Sequence, residues 1–208
     1  MPRASVGSKP SVLRCSRCGK FVDWHDARLQ IVCGCRPHVQ LPPVAVRQAT
    51  DDDRARITAL FVTDFGRSKL IAFGEEFQAE TVPAIVAEMD GDLAGALAYR
   101  LQPGVLQIVA LATDPEWQRS GVGGQLVDHA ERVAQEAGVS HVTVATTNDN
   151  LPALYFYQRR GYRLTEVMVD AIASANDDAT IVGFAGIVIR DEFHLVKTLA
   201  PVHAVEQG

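Results

Sequence analysis

A glycine-rich turn between an apolar strand and a helical pattern has residue types that suit anion binding. The apolar stretch Val105–Thr113 predicts a strand, and Asp114-Pro115 ends it because proline lacks the amide that a ladder needs. The segment 118–124, Gln-Arg-Ser-Gly-Val-Gly-Gly, then leads into a helix. The first amides of a helix have no intrahelical partner and lie at the positive end of its dipole. With the charge of Arg119 beside it, the turn predicts a phosphate or pyrophosphate site, a plain helix start being the alternative.

All four cysteines lie within residues 12–37 and are spaced as two close pairs. The pattern is C-x2-C, fourteen residues, then C-x-C, formed by Cys15, Cys18, Cys33 and Cys35. In an intracellular protein this spacing predicts four thiolates around one structural Zn²⁺, in a unit that resembles a zinc ribbon. Two disulfides are the alternative, although the secretory context they require is missing. His25 and His38 could substitute as ligands, but with four cysteines present they are expected to be surface residues.

The N-terminal unit has a composition of its own. Segments 21–24 and 29–32, between the cysteine pairs, predict a short hairpin that is too small to fold without a staple. Residues 1–40 carry seven Lys and Arg against two Asp, whereas the whole chain has a net charge of −5. Without a series of aromatic residues, this basic excess favours a structural role or docking to a protein partner over nucleic-acid binding. Residues 1–11 are expected to be a disordered tail, and 38–43 a proline-rich linker.

The remaining residues, 44–200, are expected to form one α/β domain, with 201–208 as a C-terminal tail. A content of 47% hydrophobic and 22% charged residues is typical of a soluble globular protein. No apolar run reaches the ~20 residues of a membrane helix, and the N-terminus lacks the apolar region of a signal peptide. The cytoplasm, without membrane contact, is therefore the expected location.

The hydrophobic patterns in this domain predict a mixed sheet with helices on both faces. The turn Asp90-Gly91-Asp92 predicts a hairpin between strands at 82–89 and 93–100. An irregular helix is predicted over 65–80. The other predicted elements are a strand at 44–49, a helix from Thr50 or Asp51 to 63, a helix at 121–137, a strand at 139–147, a helix at 150–160, a strand at 162–170 and a strand within 187–199.

Two segments resemble the motifs of the GNAT acetyltransferases. Residues 118–123, QRSGVG, resemble the acetyl-CoA signature Q/R-x-x-G-x-G/A, and they match neither a Walker loop nor a dinucleotide fingerprint. Residues 150–162, NLPALYFYQRRGY, resemble the later signature of that family. The resemblance covers roughly 41–200. It implies a mixed, splayed sheet in which two neighbouring strands separate to hold the pantetheine arm of acetyl-CoA.

The resemblance also implies roles for individual residues. Tyr157 would be the general acid that protonates the departing thiolate, the alternative being a core aromatic residue. A strand amide near 110–111 would polarise the thioester carbonyl. Asn150 would cap the later helix and contact the CoA arm, or act as a cap alone. The residues implied to contact CoA are Leu111, Thr113, Gln118, Arg119, Ser120, Gly121, Val122, Gly123, Gly124 and Asn150.

The general base that must deprotonate an amine acceptor has no clear signature. The strand that often supplies a carboxylate offers only Gln107, which cannot accept a proton at neutral pH. Glu88, Glu75, Glu76 and ordered water remain, and Glu88 is taken as the candidate catalytic base. Because all the cysteines lie in the N-terminal unit, direct attack of the amine in a ternary complex is expected rather than an acyl-enzyme.

The sequence thus favours an acetyl-CoA-dependent N-acetyltransferase acting on an amine of a small molecule or a protein. One alternative is a non-catalytic acetyl-CoA-binding sensor or scaffold whose zinc unit docks a protein or nucleic-acid partner. Another is a nucleic-acid-linked acetyltransferase guided by the basic unit. The acceptor, and whether the chain forms a homodimer, are left open.

Overall fold

A computed structural model describes residues 43–118, 120–175 and 181–200, together with the backbone of 24–25 and 30–31. The chain divides into two units, Met1–Leu41 and Pro42–Gly208.

In the first unit, strand β1 (Trp24–His25) pairs antiparallel with strand β2 (Gln30–Ile31), with Trp24 opposite Ile31. This pairing confirms the short hairpin expected between the two cysteine pairs. The predicted zinc ligands lie outside the described residues, as do the tails at 1–11 and 201–208. These ligands are Cys15, Cys18, Cys33 and Cys35.

The second unit is built on a mixed sheet. Its strands in chain order are β3 (Ala45–Gln48), β4 (Lys69–Ala72), β5 (Glu75–Gln78), β6 (Ala84–Met89), β7 (Asp92–Gln102), β8 (Val105–Thr113), β9 (His141–Thr147), β10 (Arg163–Met168) and β11 (Glu192–Thr198). Over the described residues, seven of them form one sheet in the order β10-β11-β9-β8-β7-β6-β3, while β4 and β5 pair with each other. Within the seven-stranded sheet only the β8–β9 pair is parallel.

Helices cover both faces of the sheet, as expected. They are α1 (Arg54–Phe65), α2 (Val122–Glu136), α3 (Leu151–Arg159) and the short α4 (Ala171–Ala175). The buried residues of α1, Ile57 and Phe61 among them, form one core cluster with the β4–β5 hairpin. Those of α2 form a second cluster on the opposite face, and Tyr157 of α3 belongs to it. None of the helices in the described ranges has both the length and the hydrophobicity needed to cross a bilayer.

The predicted irregular helix over 65–80 is wrong, because this stretch is the β4–β5 hairpin. Helix α1 stops at Gly66, which has a φ of 73° and donates its amide to the carbonyl of Val62 at 2.9 Å. In β4 the side chains of Leu70 and Ala72 are buried and their neighbours are less so, which is the period of two of a strand. The hairpin turn places Phe73 and Gly74 at φ 57° and 71°. Positive φ at both central residues is typical of a two-residue hairpin turn.

Strands β8 and β9 separate part of the way along the sheet. Their parallel pairing runs from Val105 opposite His141 to Ile108 opposite Val144. Beyond that point, residues 109–113 of β8 have no strand partner on the β9 side among the described residues. Val109 is the extra residue of a β-bulge against β7, which bends the strand where the separation begins. The sheet is therefore splayed between β8 and β9, as the resemblance implies.

Candidate active site

The N-terminus of α2 lies directly after the free end of β8. Gly121 is its N-cap at φ 95°, a conformation that favours glycine. The first α-type hydrogen bond of the helix runs from the amide of Gln125 to the carbonyl of Gly121 at 3.1 Å. The amides of the three residues between them, 122–124, therefore precede the intrahelical ladder and are available to an anion.

The turn before α2 is fixed by its own hydrogen bonds. The amide of Asp114 donates to the carbonyl of Ala94 at 3.0 Å, and the Asp114 carboxylate accepts from the amide of Glu116 at 2.9 Å. Ser120 donates both its amide and its hydroxyl to the carbonyl of Trp117. These two Ser120 donors stabilise the turn, so a contact from them to pyrophosphate would require one of the bonds to break. Arg119, the predicted positive charge, lies outside the described residues.

Two predicted contacts on β8 meet the start of α2. A methyl group added at Gly123 would lie 3.7 Å from Cγ2 of Thr113 and 3.9 Å from Cδ2 of Leu111. The ring of Phe156 on α3 would be 3.8 Å away. The end of β8, the first turn of α2 and the middle of α3 thus converge on one point. The convergence puts Leu111, Thr113 and Gly123 in one neighbourhood, as a CoA site requires.

Gly95 of β7 allows α2 to approach the sheet, and sequence reasoning missed it. A Cβ at this position would lie 2.8 Å from Cγ1 of Val122, 3.0 Å from the carbonyl oxygen of Ala112 and 3.1 Å from Cδ1 of Leu126. Real Cβ atoms essentially never come as close as 2.8 Å. A glycine inside an apolar strand is the signal that could have revealed this close approach.

Tyr157 lies in the core cluster that contains α2 and residues of β8 and β9, with 3% of its surface exposed. Its ring packs edge-on against Phe156 at 5.0 Å and Tyr162 at 5.3 Å. Burial raises the pKa of the Tyr157 phenol, an effect that the nearby Arg160 charge partly offsets. In the described part of the chain no group hydrogen-bonds to this hydroxyl, whereas the hydroxyl of Tyr162 donates to Glu131 at 3.1 Å. Tyr157 is thus a buried, protonated phenol with an uncommitted donor.

The three polar side chains just before α3, at residues 148–150, all form hydrogen bonds within the protein. Oδ1 of Asn150 accepts from the amide of Ala153 at 3.1 Å, which confirms the N-cap. Its contact with CoA stays a prediction. Asp149 is buried and accepts from the amide of Phe184 at 2.9 Å. The side-chain oxygen of Asn148 accepts from the amides of residues 190 and 191 at 2.9 and 3.0 Å. Together these bonds join the end of β9 to the loop that leads into β11.

Glu88, the candidate base, lies in an ion-pair network beside α1. Its carboxylate accepts from Arg56 at 2.8 Å and from Arg47 at 3.1 Å. Both arginines also bind the buried carboxylate of Asp53, at 2.8 and 2.6 Å. Hydrogen bonds from Arg56 and Arg47 lower the pKa of Glu88 despite its partial burial. These contacts favour a structural ion pair over a proton acceptor, because a carboxylate with a depressed pKa is a weaker base.

The other two candidate carboxylates are also paired. Glu75 forms a bidentate ion pair with Arg100, which lowers the pKa of Glu75. Glu76 pairs with Lys69 at 3.1 Å across the hairpin. Arg100 in addition donates Nε to the side chain of Gln107 at 2.8 Å.

A groove of about 520 Å³ lies on the face of the sheet that carries the β4–β5 hairpin. Its lining includes Phe73, Gln107, Thr143, Glu166 and His194, which come from the hairpin turn, β8, β9, β10 and β11. No sequence motif joins these five residues, and sequence reasoning did not identify Glu166 or His194. Only their register in the folded sheet brings them together.

The described residues contain no group of three or more His, Cys, Asp and Glu side chains that could hold a metal ion. The predicted zinc ligands lie outside these residues.

Comparison with known proteins agrees with this geometry. The model of the acetyltransferase (GNAT) family matches residues 50–162. The protein YxbD of Bacillus subtilis strain 168 is 29% identical over 147 residues, which cover 69% of this chain and 91% of YxbD. The streptothricin acetyltransferase of Streptomyces lavendulae is 37% identical over 93 residues, 44% of this chain and 48% of that enzyme.

Solved structures share the fold. A Bacillus subtilis acetyltransferase in complex with CoA superposes with a TM-score of 0.58 and 22% identity. The match covers 77% of this chain and 100% of that one.

Proposed function

The chain belongs to the GNAT family of acetyltransferases, and we propose that it transfers an acetyl group from acetyl-CoA to an amine by direct attack in a ternary complex. The observation that carries this proposal is the gap between β8 and β9, with free helix amides at one end and an uncommitted buried phenol in the core cluster on the α2 face. The CoA bound to the Bacillus subtilis acetyltransferase of the same fold supports the identity of the ligand.

The residues present fit acetyl-CoA. The gap leaves the β9-facing edge of 109–113 unpaired, so its backbone groups can bond to a pantetheine arm. The amides of 122–124 suit a pyrophosphate, and Gly123 and Gly124 have no side chains of their own that could obstruct it. We assign to cofactor binding, as proposals, the set read from the sequence: Leu111, Thr113, Gln118, Arg119, Ser120, Gly121, Val122, Gly123, Gly124 and Asn150.

Bound acetyl-CoA would supply an activated acyl group with a thiolate leaving group. A β8 amide near 110–111, where the strand separates from its neighbour, would stabilise the negative charge that develops on the carbonyl oxygen. The phenol of Tyr157 would give its proton to the sulfur as the C–S bond breaks. A phenol is protonated at neutral pH, as this role requires, and burial raises the pKa of Tyr157 further above its ordinary value.

For the N-terminal unit we propose one structural Zn²⁺ held by Cys15, Cys18, Cys33 and Cys35. Support comes from the β1–β2 hairpin, because the antiparallel pairing of Trp24 with Ile31 puts the start of β1 beside the end of β2. In the sequence, one cysteine pair precedes β1 and the other follows β2. Metal analysis of the purified chain should give one zinc per molecule, lost in Cys15→Ser. A wild-type chain without zinc would overturn this part of the proposal.

Transfer of label from acetyl-CoA tests the enzymatic proposal. The full chain would be incubated with acetyl-labelled cofactor and either a cell extract, separated into small-molecule and macromolecular fractions, or streptothricin, the substrate named in its relative. Label in any acceptor supports the enzyme, and the labelled fraction identifies the acceptor class. Tight CoA binding without any transfer would instead support the sensor alternative.

A further inference from the structure

Two ionisable side chains that line the groove on the hairpin face, His194 and Glu166, form a cluster with the buried Glu192. The carboxylate of Glu192, 3% exposed, lies 2.7 Å from Nε2 of His194. Nδ1 of the same ring lies 3.1 Å from the carboxylate of Glu166, whose side chain is 59% exposed. The imidazole is therefore held by a buried acid on one side and faces a solvent-exposed acid on the other.

The backbone of the hairpin turn is held against this cluster. Phe73 has a φ of 57°, a left-handed conformation that is rare for a bulky residue. Its amide donates to the carboxylate of Glu192 at 2.9 Å, and its ring lies 5.0 Å from the ring of His194. The buried Glu192 thus fixes both the imidazole and an aromatic wall beside it.

The cluster lies level with the separation of β8 and β9. Gln107 pairs with Thr143 one position before the last parallel pair, and both line the groove. His194 pairs with Ala145, the first β9 residue beyond that pairing. Tyr157 packs in the cluster on the opposite face of the sheet. The phenol and the imidazole thus belong to opposite faces of the sheet.

We propose that this groove binds the ammonium group of an aliphatic amine and that Nδ1 of His194 takes the proton from it. The inference rests on the proposed acetyl transfer and supplies the base which that reaction needs. When His194 is neutral, its Nε2–H donates to Glu192, so its Nδ1 lone pair and the Glu166 carboxylate are both acceptors. An ammonium group, with three donors and a positive charge, complements two acceptors of this kind.

The proton balance of the step is complete. The ammonium gives one proton to Nδ1, and the nitrogen lone pair forms the bond to the thioester carbon as the C–S bond breaks. The sulfur takes the phenol proton of Tyr157. The imidazolium then releases its proton to solvent, and the second proton lost by the nitrogen returns to Tyr157 by way of solvent.

The proposal has a defined pH dependence. Hydrogen bonds to Glu192, and secondarily to Glu166, raise the pKa of His194 above its ordinary value, an effect that burial partly offsets. Besides His194 and Glu166, His141 is the other titratable residue that lines the groove. The side chains of the lining residues Phe73, Gln107 and Thr143 do not titrate. Below the pKa of His194 the imidazolium engages both carboxylates and cannot accept a proton. We therefore expect kcat/KM to rise with pH through this pKa.

Two acceptor amines, assayed with the full chain, test the proposal. Spermidine is an aliphatic ammonium, whereas p-anisidine is an arylamine that is already neutral at pH 7. We expect His194→Gln to lower kcat/KM for spermidine by ~10²-fold at pH 7 and to remove the rising limb of the pH profile. It should affect p-anisidine much less, because that amine needs no deprotonation. Glu166→Gln should raise the KM for spermidine by ~10-fold. His129→Gln is the matched control, because its imidazole lies on α2, outside the groove lining, and contacts Arg132.

Calorimetry of spermidine binding in the presence of CoA separates this inference from the proposed function. If His194→Gln still transfers acetyl groups and its kcat/KM still rises with pH as in wild type, His194 is not the base, but the proposed acetyl transfer is retained. Absence of transfer to either probe, with spermidine binding that weakens in Glu166→Gln, overturns the reaction and the base but retains the ammonium site. Spermidine binding that is absent, or equal in wild type and Glu166→Gln, overturns the ammonium site whatever the activity.

Discussion

The two faces of the sheet contribute to the site in different ways. On the α2 face the groups come from one continuous run, 105–124, and from the single helix α3. On the hairpin face they come from five separate segments, between Phe73 and Val196. A continuous backbone motif keeps its spacing in any sequence that uses it, whereas separate segments meet only through strand register. This difference explains why the proposed cofactor side was recognisable in the sequence and the proposed acceptor side was not.

The sharpest test of the α2 face is the hydroxyl of Tyr157. If this phenol protonates the thiolate, Tyr157→Phe should lower kcat by ~10²-fold and leave the dissociation constant of CoA nearly unchanged. Steady-state kinetics and calorimetry with CoA measure the two quantities.

The neighbouring Tyr162 provides the control for that substitution. Its hydroxyl already donates to Glu131, so Tyr162→Phe should cost about 1 kcal/mol in free energy of unfolding and leave kcat unchanged. Equal kcat values for wild type and Tyr157→Phe would show that Tyr157 is a core aromatic residue only, the alternative left open by its burial and ring contacts.

Gly95 is an exception to this contrast between the faces, because it packs against α2 but lies outside the continuous run 105–124. In Gly95→Ala the new methyl group would meet Val122 at 2.8 Å and the carbonyl of Ala112 at 3.0 Å. Displacing α2 should lower the free energy of unfolding by about 1–3 kcal/mol and weaken CoA binding measurably. Thermal melting and calorimetry check both.

Gly123→Ala is the matched control for stability. Its methyl group would meet nothing closer than Cγ2 of Thr113 at 3.7 Å, which is an ordinary contact. The melting temperature of Gly123→Ala should therefore stay at or above that of wild type, since alanine also has the higher helix propensity. A Gly95→Ala chain that melts with wild type would show that α2 can shift freely against β7.

Much of the fold was predictable where local signals are strong. Strand β8 matches the predicted stretch Val105–Thr113, because Pro103-Gly104 and Pro115 delimit an almost continuous apolar run. The hairpin of β6 and β7 turns at Asp90 and Gly91, both with positive φ, as the Asp-Gly pair indicates. The α2 helix begins at Val122, one residue after its predicted start.

The β4–β5 hairpin was missed because its local signals conflict. Its turn has Phe73 where Asn or Asp is usual, and this choice depends on Glu192, 119 residues away, to hold the Phe73 amide. The acidic pair Glu75-Glu76 also suits a helix as well as a strand. His194 and Glu166 also belong to no sequence motif, because they lie far apart in the chain. Their meeting depends on the register of β10 against β11, which includes an irregularity between Leu164 and Glu166.

The smallest predicted effect on turnover tests whether the hairpin face contains a second base. Glu88 is bound by Arg56 and Arg47, so Glu88→Gln should leave kcat and its pH profile unchanged. The substitution should reduce the free energy of unfolding by about 1 kcal/mol at pH 7, a modest value because both arginines are partly exposed.

The pH dependence of that stability difference follows from the lowered pKa of Glu88. A carboxyl group with a lower pKa in the folded state stabilises the fold above its unfolded pKa of about 4.3, and this contribution disappears as the pH falls through the folded pKa. Denaturation of wild type and Glu88→Gln between pH 7 and 3 should therefore converge at the acid end. A large loss of kcat in Glu88→Gln would instead assign the base to Glu88, provided that the pH profile of kcat/KM in His194→Gln is the same as in wild type. The acceptor side would then centre on the α1 end of the sheet, because the ion pairs of Glu88 would be part of the catalytic machinery.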